Sequence, residues 1–135
     1  MPGQTGATVD PYTTSVQWSR RFTGLKLFLT LAQQGESGYC DLIEHQARMG
    51  DVLRTSLTCA GWRIVNSTPL PLVCFTREGL VTAKFLAALY ERQIAWMSEV
   101  RLGGGPPVLR ACITSFRTTE SDINCVVREI GKLVE

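Results

Sequence analysis

Apolar positions along this chain follow two rhythms, and the switch between them marks the elements. Phe22, Leu25, Leu29 and Ala32 fall at three- and four-residue steps, and Leu27, Phe28 and Leu31 widen the stripe. This predicts a helix that sets in near Ser19 and is stopped by Gly35. A helix apolar on so much of its circumference needs neighbours on more than one side. After a turn at 35–38, a longer helix is expected from about Tyr39 to Cys59. Tyr39, Leu42, Ile43, Ala47, Leu53, Leu57 and Ala60 supply its inner face, and Asp41, Glu44, Arg48, Asp51 and Arg54 a solvated one. Gly50 inside it costs about 1 kcal/mol against alanine, which points to a close crossing with another backbone.

The rhythm then shortens. Trp62 and Ile64, the turn-forming Asn66-Ser67-Thr68, and the run Leu72, Val73, Cys74, Phe75 read as a hairpin. Its second arm does not alternate, as expected of a strand covered on both faces. Pro71 cannot donate to a ladder, so the regular strand begins near Leu72. A helix over 81–94, a strand over 96–102, a turn at the Gly103-Gly104-Gly105-Pro106-Pro107 cluster and a strand over 108–114 follow. Thr119 with Asp122 three residues on resembles a capping box for a closing helix with Ile123, Val126, Val127 and Ile130 inward. Together these predict an α+β fold, a four-stranded antiparallel sheet with helices on one face. Residues 1–14 are expected to be a flexible lead-in, 15–36 a connecting helix and 37–135 the α+β domain.

Composition narrows the functions more than it names one. The chain has 135 residues, 44% of them apolar, and a formal net charge of +2 with no basic stripe, which argues against nucleic acid as a partner. No apolar run approaches the about 18 residues of a membrane span, and the N-terminus lacks a secretion signal, so a soluble cytoplasmic protein is expected. The five cysteines, odd in number and without a CxxC, read as free thiols in a reducing compartment. His45 is the only histidine and has no cysteine at ligand spacing, so no metal site is expected. The glycine cluster lacks the following Lys-Ser or Lys-Thr of a phosphate loop and leads into a strand.

Candidate chemistry is sparse. Alternation in the last strand puts Leu109, Ala111 and Ile113 on one face and Val108, Arg110, Cys112 and Thr114 on the other. Arg110 is then either a solvent-facing arginine on an open sheet face or a fork aimed at a carboxylate or phosphate held there. Arg20-Arg21 at a helix start oppose its dipole, which an anion nearby or solvation alone would accommodate. No nucleophile has a histidine or acid partner by motif.

The run SVQWSRRFTGLKLFLTLAQQGESGY resembles the segment that follows the cofactor lysine in pyridoxal-phosphate-dependent group II amino-acid decarboxylases. The stretches TPLPLVCF and VLRACITSFRTTESDINCVVREIGKL are similar to the closing strands and helix of that family. The resemblance implies the C-terminal small domain of a fold-type-I enzyme, preceded by its connecting helix. It implies a lyase that removes the α-carboxylate of an amino-acid substrate, with pyridoxal 5'-phosphate held by a large domain that supplies the Schiff-base lysine. Lys26, Lys84 and Lys132 form no His-Lys pair, so this chain is expected to bind no cofactor covalently and to be inactive alone. It further implies a homodimer, with Arg110 at the substrate carboxylate and Gln17, Ser19 and Arg20 in a motif near the cofactor cavity and subunit contact. The alternative is a free-standing ligand-binding or dimerisation module without catalytic activity.

Overall fold

A computed structural model describes residues 21–134. The chain divides into two compact units, the first ending at Glu36 and the second Ser37–Glu135. The elements in order are α1 (Thr23–Cys59), β1 (Arg63–Ile64), β2 (Leu72–Thr76), α2 (Thr82–Glu91), β3 (Ser98–Arg101), β4 (Pro107–Cys112) and α3 (Glu120–Gly131). The break expected at 35–38 is present but confined to Gly35, where two helices meet at a kink. Only Gly35 leaves helical geometry, at φ 67°, and the residues after it are helical again. A residue without a Cβ takes that conformation at little cost, so the glycine expected to stop the first helix does separate it from the next. In the first unit, Phe22, Leu25, Leu27, Phe28, Leu29 and Leu31 are all exposed, and Thr23, Lys26, Thr30, Gln33, Gln34 and Glu36 are the polar residues of its helix.

The second unit is built on an antiparallel sheet of order β1-β2-β4-β3. β2 begins at Leu72, immediately after Pro71, because a proline has no N–H to give the ladder. The register pairs Val73 with Ala111, Cys74 with Arg110 and Phe75 with Leu109, while β3 sets Ser98 against Arg110 and Glu99 against Leu109. Directly opposed residues share a face. One face therefore carries Ile64, Val73, Phe75, Leu109 and Ala111, and these join Met49, Leu53 and Leu57 of α1, Phe85 and Leu89 of α2, and Ile123, Val127 and Ile130 of α3 in one core. Trp62 packs edge-on against Phe75 and Phe85, with centroids 5.2 and 5.7 Å apart. The fold is thus α+β with the helices on one face, as the alternation predicted.

Two details of α1 differ from the periodic reading. Met49 is buried where Ile43 is 57% exposed. Arg54, expected in solvent, instead donates from Nη2 to the carbonyls of Thr68 and Leu70, each at 2.7 Å, and of Leu72 at 3.3 Å, while Asp51 holds Nη1 at 2.7 Å. That clamp draws the 65–71 loop against the helix. At the same place a Cβ on Gly50 would stand 2.9 Å from the Cα of Pro71, so the close crossing expected there is present. The loop is longer than the three-residue turn anticipated, because the Asn66 side chain completes the ladder: it donates to Leu72 O at 3.0 Å and accepts from Cys74 N at 2.7 Å.

The remaining caps follow the sequence. Thr119 and Asp122 form a reciprocal capping box at the start of α3. His45 Nε2 bonds to Thr118 O at 2.9 Å and Gln46 donates to Thr114 O at 2.8 Å, fixing the turn between β4 and α3 to α1. Gly103 and Gly104, at φ 56° and 75°, turn β3 into β4, so the glycine cluster serves a hairpin.

Candidate functional site

The second face of the sheet carries Leu72 and Cys74 from β2, Ser98 and Val100 from β3, and Val108, Arg110 and Cys112 from β4. None of these side chains belongs to the helix-packed core. Arg110 lies at the centre of this face, half-buried, because β4 is an inner strand and its neighbours Cys74 and Ser98 are short. Its Nε donates to Ser98 Oγ at 3.1 Å. Cys74, on its other side, is only 1% exposed. Burial pushes the Cys74 thiol up, against the downward pull of the Arg110 guanidinium, so the thiol stays neutral beside it.

Arg110 has no internal counter-ion among the described residues. The four strands contain a single carboxylate, Glu99, which lies on the opposite face and accepts a hydrogen bond from Thr82 Oγ1. Arg63, opposite Thr76, adds a second cation on the same side as Arg110. A guanidinium partly withdrawn from water, with most of its donors unengaged and no acid on its face, is arranged to meet an anion. Both readings that the alternation leaves for Arg110, a solvent-facing arginine and a fork for an anion, are compatible with this geometry.

The register also brings in Ser98, which no motif singled out. Its relevance depends on lying across from Arg110, a long-range pairing that local periodicity does not contain. Gln17, Ser19 and Arg20 lie outside the described residues.

The residues present do not fit a covalently held pyridoxal phosphate. Lys26 and Lys84 are exposed on helices, and Lys132 Nζ is engaged by both carboxylate oxygens of Glu129, at 2.8 and 2.9 Å. None of the three lies in a strand of the sheet that carries Arg110. His45, bonded to the Thr118 carbonyl, serves the fold. The exposed thiols are Cys40, Cys59, Cys112 and Cys125, of which only Cys112 shares the face of Arg110. No helix among the described residues is long and apolar enough to cross a membrane.

No family model matches the chain, and no curated protein matches it in sequence. Solved structures do. A tryptophan decarboxylase from Catharanthus roseus, solved in complex with L-tryptophan, superposes with a TM-score of 0.79 at 26% identity, over 93% of this chain and 29% of that one. The Oryza sativa enzyme solved with pyridoxal phosphate and tryptamine gives 0.77 at 20% identity, over 96% of this chain and 30% of its own. The glutamate decarboxylase domain of a diaminobutyrate-pyruvate transaminase and L-2,4-diaminobutyrate decarboxylase from Vibrio parahaemolyticus gives 0.71 at 24% identity, over 84% and 26%. The chain spans less than a third of the length of these proteins. The structural likeness is to under a third of each of these pyridoxal-phosphate-dependent decarboxylases, consistent with a C-terminal part of such a fold.

Proposed function

We propose that this chain serves as the C-terminal domain of a pyridoxal-phosphate-dependent amino-acid decarboxylase, a carboxy-lyase, closing the substrate site and contributing to the contact between two subunits of a homodimer. The observation that carries this reading is the sheet face without helices, which presents Arg110 to an anion that the described residues do not supply. Arg110 meets the substrate carboxylate there. When bound, the cofactor supplies the electron sink that decarboxylation needs, and the lysine that holds it comes from the large domain. The part of this chain is to bind, orient and exclude water.

The helical segment of the first unit supports the same division of labour. Its exposed Phe22, Leu25, Leu27, Phe28, Leu29 and Leu31 exceed what a solvated helix needs. In the proposed assembly the large domain and the partner subunit cover them, with Gln17, Ser19 and Arg20 at the subunit contact and cofactor cavity. Of the expected connecting helix 15–36, the described part, 21–36, then links to the closing domain 37–135, and the lead-in expected at 1–14 lies outside the described residues. The five free thiols suit a reducing, cytoplasmic setting.

The test is to mix the purified chain with pyridoxal phosphate and amino acids, then record the absorption spectrum and carbon dioxide release. The expected result is no turnover and no dialysis-stable cofactor adduct that disappears in a Lys26→Ala, Lys84→Ala, Lys132→Ala triple variant. A lysine-dependent adduct with turnover would overturn the proposed division. A free-standing binding module would instead show a saturable thermal shift with amino acids and a defined oligomer at micromolar concentration.

A further inference from the structure

A guanidinium can meet a carboxylate with two parallel bonds along more than one of its edges: side-on through Nε and one Nη, or end-on through both Nη atoms. On this sheet the choice is constrained. Nε of Arg110 donates to Ser98 Oγ at 3.1 Å, which is the only hydrogen bond of that side chain among the described residues. Ser98 comes from the directly opposed position of β3, so its hydroxyl is delivered by the ladder and not by a mobile loop. On the β2 side the neutral Cys74 thiol brings no charge that would turn the fork. The terminal edge, Nη1 and Nη2, is the edge left available.

We infer that Ser98 is a positioning residue, which commits Arg110 to end-on, two-point recognition of a carboxylate through Nη1 and Nη2. The inference rests on the reading that Arg110 takes a carboxylate, and goes beyond it by naming what aims the fork. A long side chain that must be ordered on binding loses conformational freedom, and a hydrogen bond made beforehand removes part of that cost. The chemistry around the fork defines the rest of the ligand. Leu72, Val100 and Val108 share the face, so the carboxylate that fits carries an apolar body.

The experiment uses the full chain and sodium phenylacetate, with sodium chloride at matched ionic strength as the control, read in every variant by the backbone amide NMR signals of β3 and β4 and, wherever the arginine is present, by the Arg110 Nε–H signal. Wild type is expected to show a saturable shift of these signals. Ser98→Thr keeps the hydroxyl and binds within about twofold of wild type. Ser98→Val has the shape of threonine without the hydroxyl; it moves the Arg110 Nε–H signal before any ligand is added and weakens binding about three- to tenfold, the scale of a misaimed charge-assisted bond. Ser98→Ala takes its place if the valine variant unfolds. Arg110→Lys weakens binding at least as much. If the valine and alanine variants bind as wild type while Arg110→Lys does not, the positioning role is overturned and the carboxylate reading stands. If Arg110→Lys also binds as wild type, or wild type shows no saturable shift beyond chloride, both fall.

Discussion

Replacing Gly50 with alanine sets two effects of opposite sign against each other, and the structure decides between them. In an open helix the change stabilises by about 1 kcal/mol, because alanine loses less backbone freedom than glycine. Here the new Cβ would stand 2.9 Å from the Cα of Pro71. Carbon atoms prefer about 3.5–4.0 Å, so one backbone must retreat by more than half an ångström. The loop cannot do so freely, since Arg54 Nη2 holds the carbonyls on both sides of Pro71, Leu70 O at 2.7 Å and Leu72 O at 3.3 Å. Overpacking of this kind costs about 1–3 kcal/mol. With the clash against backbone near the upper part of that range, the net effect of Gly50→Ala is destabilisation by about 1–2 kcal/mol after the helix-propensity gain. Urea denaturation followed by circular dichroism measures it, and with a slope of about 1–3 kcal/mol per molar the midpoint should fall by roughly 1 M. In an Arg54→Met background the loop is released, so the alanine penalty should shrink, a non-additivity expected of groups that share one contact. A midpoint that rises for Gly50→Ala in the wild-type background would refute the close-approach argument.

Arg54→Met by itself should destabilise by about 2–3 kcal/mol, the scale of a charged donor lost from several carbonyls, whereas Asp51→Asn should cost under about 1 kcal/mol because that carboxylate is largely in water; thermal unfolding of both checks the ranking, and equal effects would contradict it. Thr119 hydrogen bonds hold the Asp122 carboxyl below the usual carboxylate range, and Lys132 followed by Arg128 does the same for Glu129. A folded-state pKa below the unfolded one gives stability that is present above the unfolded value, about 4, and is lost as pH falls through the folded value. Asp122→Asn should therefore flatten the fall of the urea midpoint on acidification below about pH 4, and an unchanged slope would exclude the linkage. Brief iodoacetamide treatment of the native chain, read by mass spectrometry, should label Cys40, Cys59, Cys112 and Cys125 well before the buried, pKa-raised Cys74; labelling of Cys74 at a comparable rate would refute its enclosure.

The parts of this fold that were legible in the sequence are those set by local chemistry. Pro71 placed the start of β2, the alternation of 108–112 put Arg110 away from the core, and the spacing of Thr119 and Asp122 gave the helix cap. Gly50 was legible because a glycine inside a helix needs a steric reason. What stayed hidden depends on distant partners. Arg54, three residues after Asp51, has the pattern of a surface ion pair, and only the returning 68–72 segment turns it into a clamp. Asn66 looked like a turn residue, yet its amide stands in for a peptide group in the ladder. Ser98 acquired meaning from the β3–β4 register alone. Ile43 and Met49 exchanged places because the inner stripe of α1 is set by what packs on it, not by hydropathy alone.

The Asn66 side chain has one more effect, on how this sheet behaves at its rim. β1 is only two residues long, and beyond it the groups of β2 that a foreign strand could seize, Leu72 O and Cys74 N, are already engaged by the asparagine amide. At the other margin β3 alternates Glu99 and Arg101 with its smaller residues, placing charge where an intruding strand would have to lie. Loss of the Asn66 amide should thus open a templating edge, and with it a route to strand addition and aggregation that the intact chain keeps closed.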